Sequence, residues 1–105
     1  MSKRQTIKAF RGGGAGLWYS TGEDHAANFG TDDVREFVCE ISDDLVLTLT
    51  SDEAEDNMSG STGMDGEVEA LEEAANEAGA FVVEILDWEF GETCYVDIGL
   101  WFEEV

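Results

Sequence analysis

Basic residues are scarce in this 105-residue chain. Five Lys and Arg stand against 25 Asp and Glu, a formal charge of −20, and no Lys or Arg follows Arg35. A chain so charged is repelled by anionic lipid and by bare nucleic acid, which argues against membrane-surface binding and direct DNA or RNA binding. Histidine occurs once, at His25, and cysteine only at Cys39 and Cys94. The two cysteines form no C-x-x-C pair, and one histidine cannot complete a zinc set with them. They read as small buried hydrophobes in a reduced cytosol, with a disulfide left open. No apolar run approaches the roughly 20 residues of a membrane span, and no secretory signal opens the chain.

What is present is a core. Hydrophobic residues make up 43% of the chain, with 6 Phe, 3 Trp and 2 Tyr. Disordered acidic tails lack such residues, so residues 1–105 are expected to form a folded domain with one core. The charge is unevenly spread. Lys3, Arg4, Lys8, Arg11 and Arg35 all lie in the first third, with four acids among them; residues 36–105 hold 21 acids and no Lys or Arg. Self-repulsion on that scale costs stability, so a function is expected to maintain it.

Residues 5–11 alternate, with Ile7 and Ala9 opposed to Lys8 and Phe10, and predict a strand. Gly12–Gly16 is a flexible break, Leu17, Trp18 and Tyr19 form an apolar patch, and 20–30 read as loop. Residues 31–42 fit two periods. Thr31 or Asp32 can cap a helix with Val34, Phe37, Val38 and Ile41 on one face, and acids near its start favour helix. The alternative is a strand with Phe37, Cys39 and Ile41 on one face, in a hairpin through Ser42, Asp43 and Asp44. Residues 45–51 predict a strand with Leu45, Leu47 and Leu49 on one face. Residues 52–65 read as a mobile acidic loop.

A helix is expected over 66–78, capped by Asp65 and ended by Gly79 in the left-handed conformation. Its buried stripe is Val68, Leu71, Ala75 and Ala78. A strand containing Phe81, Val83 and Ile85 follows over 80–88. After a turn at Gly91, a last strand over 93–102 sets Cys94, Val96, Ile98, Leu100 and Phe102 on one face and Tyr95, Asp97 and Trp101 on the other. The expected architecture is α+β: about four strands, mostly antiparallel, with one or two helices on one face.

Catalytic and ligand motifs fail in turn. The Gly12–Gly16 segment has Leu17 where a dinucleotide fingerprint needs glycine, and it lacks the Gly-Lys-Ser/Thr of a phosphate loop. Neither Asp52 nor Asp56 can start an EF-hand loop. A Cys94–His25 nucleophile system would need the two side by side in space, and no carboxylate pair carries signs of a raised pKa. No enzyme, metal or cofactor is expected.

The sharper signal is the outer face of the 66–78 helix. Glu69, Glu72, Glu73 and Glu77 recur at three- and four-residue spacing, where side chains sit about 5–6 Å apart and like charges repel. Asp52, Glu53, Glu55 and Asp56 share the bias before the helix, and Asp97 with Trp101 offers an acidic and aromatic contact after it, suited to arginine. In size, lack of proline, one-sided acidity and the Glu69/Glu72/Glu73/Glu77 face, the chain resembles the small acidic DNA-mimic inhibitors of phages and mobile elements, several anti-CRISPR proteins among them. The resemblance implies a non-catalytic protein acting in the host bacterial cytoplasm. It would bind a basic nucleic-acid-binding protein or CRISPR effector complex, with a type I surveillance complex foremost. The competing expectation is a halophilic accessory domain whose acidity suits molar salt. A thermal melt separates the two: an inhibitor is expected to unfold cooperatively from a well-folded state at 0.1 M salt, whereas a halophilic domain needs salt in the molar range to fold.

Overall fold

Strand β1 (Arg4–Gly13) pairs antiparallel with β3 (Asp32–Ser42) along almost its whole length, from Arg4 opposite Ser42 to Gly13 opposite Asp32. Alternation sets the faces: Ile7, Ala9, Cys39 and Ile41 are buried, while Lys8 and Glu40 are exposed. Residues 31–42 are therefore no helix where described. Both periods fit the sequence, and the ladder to β1 satisfies the backbone that an isolated helix would have had to satisfy alone. The strand alternative is the one that forms, with Phe37, Cys39 and Ile41 on one face, but without its hairpin, because β3 pairs with β1 and β7 and not with the strand that follows it. The computed structural model describes residues 4–13, 17–23, 26, 32–59, 63–89 and 91–105. The expectations for Gly14–Gly16, His25 and most of the 20–30 loop lie outside them.

The remaining strands are β2 (Trp18–Ser20), β4 (Val46–Thr50), β5 (Val82–Glu89), β6 (Glu92–Asp97) and β7 (Glu103–Glu104). Together they form one mixed sheet in the order β4-β5-β6-β2-β1-β3-β7, seven strands where about four were expected from the layer argument. The pair β4–β5 is parallel and the other pairs are antiparallel. The parallel pair requires a crossover, supplied by α1 (Ser51–Met58) and α2 (Gly63–Ala78).

Helix α1 replaces the expected loop at 52–65. Thr50 accepts from the Glu53 N–H at 3.2 Å, and the Glu53 carboxylate accepts from the Thr50 N–H at 3.0 Å, a reciprocal cap worth about 0.5–2 kcal/mol. Helix α2 starts at Gly63, so Asp65 lies within it and does not cap it. Its end is as expected: Gly79 takes φ 71°, Ala80 N–H donates to Ala75 at 2.8 Å and Gly79 N–H to Asn76 at 3.2 Å. Leu71 and Ala75 are fully buried and Val68 half-buried, but Ala78, the last residue of the helix, is exposed.

Each sheet face carries its own apolar cluster. On the helix side, Leu71, Ala75, Ala54 and Met58 pack on Leu49, Val83, Ile85, Cys94, Val96 and Trp18. On the other side, Ile7, Ala9, Tyr19, Cys39, Ile41, Val82, Tyr95 and Phe102 pack together, with Leu45 and Val46 against them. Leu45 thus parts from Leu47, and Phe81 lies exposed before β5. The free cysteines occupy opposite clusters, which rules out a bond between them.

The last expected strand stops early. β6 ends at Asp97, and the chain turns at Ile98–Gly99 and crosses the second face to add β7 to β3. Leu100, expected inside, is 74% exposed at φ 57°. Phe102 joins the second cluster, stacked on Tyr19 at 4.3 Å and tilted against Tyr95 at 5.9 Å. The hook is held by Asp97, which is 1% exposed: its carboxylate accepts from the N–H groups of Trp101 and Phe102, each at 2.8 Å, and of Leu100.

Burial raises the Asp97 pKa, and the three N–H donors oppose that rise. With the folded value above the ordinary 3.8, its titration contributes stability that is full below that pH and is lost as pH rises through the folded value. The carboxylate still organises the hook. Asp97→Ala is expected to cost about 2 kcal/mol or more at pH 7 in urea unfolding, because buried N–H groups lose their acceptor.

Candidate functional site

Helices α1 and α2 lie side by side over β4 and β5. Burying Ala54, Met58, Leu71 and Ala75 against the sheet turns the opposite faces outward. Glu69, Glu72, Glu73 and Glu77 of α2 are exposed, as are Asp52, Glu53, Glu55 and Asp56 of α1. Both sets of acids thus belong to one helical layer. A shallow cleft of about 220 Å³ joins the helices, lined by Asn57, Ala70, Glu73, Ala74 and Glu77. The acids are not equivalent. Asp52 and Glu53 stand in the first turn of α1, where they favour the helix dipole, and Glu53 is also committed to the cap. Glu69, Glu72, Glu73 and Glu77 lie further along α2, where capping gives no reason for them.

The cations are elsewhere. Arg4, Lys8, Arg11 and Arg35 stand on β1 and β3, towards the other end of the strand order. Arg4 meets Glu40 at 3.8 Å, and Arg35 pairs with Asp33 and with Glu104. These hydrogen bonds and charges raise the Arg35 pKa. The half of the sheet under the helices has no basic residue of its own, since none follows Arg35. The described cations are therefore gathered on β1 and β3, among exposed acids such as Glu36, Glu40 and Glu103, while the helical layer carries no cation.

The aromatic contact expected from Tyr95, Asp97 and Trp101 is not a single face. Tyr95 and Asp97 are buried beneath the hook, so Asp97 drops out of the contact surface and acts in folding. Burial, with Glu84 hydrogen-bonded to the hydroxyl, raises the Tyr95 pKa. Trp101 alone of the three remains open to solvent, beside Phe81. Sequence reasoning missed Phe81 and the Glu40/Glu103 pair near Trp101, because the turn at Gly99 that brings them together was not foreseen. Cys94 is fully buried in the helix-side cluster, and burial together with Asp97 pushes the Cys39 thiol up to about 11, so Cys39 is held protonated at neutral pH. Among the described residues no three His, Cys, Asp or Glu side chains are grouped to hold a metal ion, and no helix is long and apolar enough to cross a membrane.

Changing Glu69, Glu72, Glu73 and Glu77 together to Gln is expected to leave the core intact and to hold or raise stability, by a few tenths of a kcal/mol per relieved pair. Thermal melts of the variant and parent at low salt check this.

Compared with known proteins, the chain matches no family model, no curated protein and no solved structure.

Proposed function

We propose that the protein is a non-catalytic inhibitor that binds a basic nucleic-acid-binding protein by presenting a DNA-like charged surface, foremost a type I CRISPR surveillance complex in the host bacterial cytoplasm. The observation that carries this reading is the exposed helical layer, whose acids have no basic residue on their own half of the sheet. From Glu69 to Glu77 the helix axis advances about 12 Å at 1.5 Å per residue. Four charges over that length approach the density of one DNA strand, about one per 3.4 Å. A rigid helix presents them without the cost of ordering a flexible chain, and complementary charge speeds encounter.

The like-charge row costs the free protein stability, which a binding role explains and a solvated face does not. Salt adaptation would act over the whole surface; here the described basic residues are all gathered on β1 and β3, and the second apolar cluster is rich in aromatics. Titration into a complex of the target with DNA is expected to release the DNA, with affinity falling as salt rises. The quadruple Gln variant is expected to bind at least tenfold more weakly while keeping its stability. Salt-indifferent release, or full potency of that variant, overturns the assignment of this face.

A further inference from the structure

We infer that the cleft beside Trp101 receives an arginine side chain of the partner. The inference deepens the proposed function and rests on it in one respect, that the partner is basic. The cleft has a volume of about 350 Å³ and is lined by Arg4, Val38, Glu40, Trp101 and Glu103. Val38, Glu40 and Glu103 come from the outward side of β3 and β7, where Val38 stands opposite Glu103. Trp101 arrives from the hook.

The indole is held in place. Its backbone N–H is fixed to the buried Asp97 carboxylate at 2.8 Å. It lies so close over Gly99 that a Cβ there would stand 2.7 Å from the ring. The Phe81 ring flanks it at 6.2 Å between centroids. An aromatic ring fixed on these sides yet 36% exposed is a ready platform for a flat cation. Its neighbour Leu100 sits 74% exposed in the left-handed region, a conformation that no burial of its side chain explains.

Charge selects the occupant. Two carboxylates, Glu40 and Glu103, face a single guanidinium within the cleft. That guanidinium, Arg4, meets Glu40 at 3.8 Å with both side chains well over half exposed, a contact easily exchanged. The chain's own arginine thus marks chemistry the cleft accepts. A partner guanidinium can stack on the indole and fork to a carboxylate in one pose, which a lysine ammonium cannot do.

The test titrates acetyl-Gly-Arg-Gly-amide and its citrulline counterpart, of similar shape but uncharged, into the full chain. Backbone amides of Val38 and Glu103 and the Trp101 indole N–H are followed by NMR. The arginine peptide is expected to give saturable shifts at these positions, with at least tenfold weaker binding of the citrulline peptide. Trp101→Ala keeps the backbone bond to Asp97 and is expected to weaken binding at least tenfold, read on the two backbone amides. Glu40→Gln with Glu103→Gln is expected to do the same. Equal binding of citrulline, or unchanged binding in the double Gln variant, overturns the inference. The quadruple Gln variant of α2 is expected to bind the peptide like the parent; loss there places the arginine on the helices and also overturns it. Peptide binding without DNA release by the protein sinks the nucleic-acid reading alone, and DNA release without peptide binding sinks the cleft alone.

Discussion

Three residues join β3 to β4, and much of the structure follows from that shortness. β3 is sixth and β4 first in the sheet order. In a flat sheet, with strands about 4.8 Å apart, the two would be separated by roughly 24 Å. From Ser42 to Val46 the chain can reach no more than about 14 Å. The sheet must therefore coil until its two ends approach. The second apolar cluster records this, since it draws Val82 of β5, Tyr95 of β6, Tyr19 of β2, Ile7 of β1 and Ile41 of β3 into one group, with Val46 of β4 against it. The helices take the outer side at β4 and β5, and the inner side needs its own filling.

That filling is aromatic, and it is closed by the C-terminal hook. Tyr19, Tyr95 and Phe102 supply the bulk, with Phe37 edge-on to Tyr19 at 5.2 Å. Crossing the mouth of the coil leaves backbone N–H groups facing inward, and Asp97 satisfies them. A buried carboxylate is a costly way to do so, and its raised pKa is the sign of that cost. Two roles for acidity coexist here. Among the described residues the one buried acid, Asp97, organises the chain around itself, whereas the exposed acids of α2 work against folding and, in the proposed reading, serve a partner.

How much of this was legible varies with the range of the interaction that decides it. Local signals read well: Ile7 and Ala9 on one face of β1, Leu71 and Ala75 in the buried stripe of α2, Gly79 at its end. The Thr50–Glu53 cap was also local and present in the sequence; the glycine- and serine-rich stretch after Met58 hid it by making the whole segment look like loop. Residues 31–42 could not be settled locally, because two periods fit and the pairing with β1 chose between them. The overrun of the last strand has a similar cause. Ile98, Leu100 and Phe102 continue the alternation, and nothing nearby announces that Asp97 will turn the backbone through contacts with residues three to five positions ahead. The acidic layer was legible as composition. Its separation from the cations was not, because that depends on a strand order the sequence does not spell out.

The coil also relates the acidic helix to the aromatic cleft. α2 carries its row from Glu69 to Glu77 and ends at Ala78. Phe81 follows four residues after Glu77, a reach of at most about 14 Å. Its N–H donates to Leu45, the last residue of the short link, and its carbonyl accepts from Gly99 at the turn of the hook. Trp101 lies against it, with Glu40 and Glu103 beyond. The helical acids therefore run towards an aromatic patch and then a second pair of carboxylates, across a junction fixed by backbone hydrogen bonds. A flat sheet would have placed the cleft on β3 and β7 far from the helices on β4 and β5. The three-residue link that forces the coil would also give the proposed partner access to both: a row of charges for its basic surface and a fixed indole for one of its arginines.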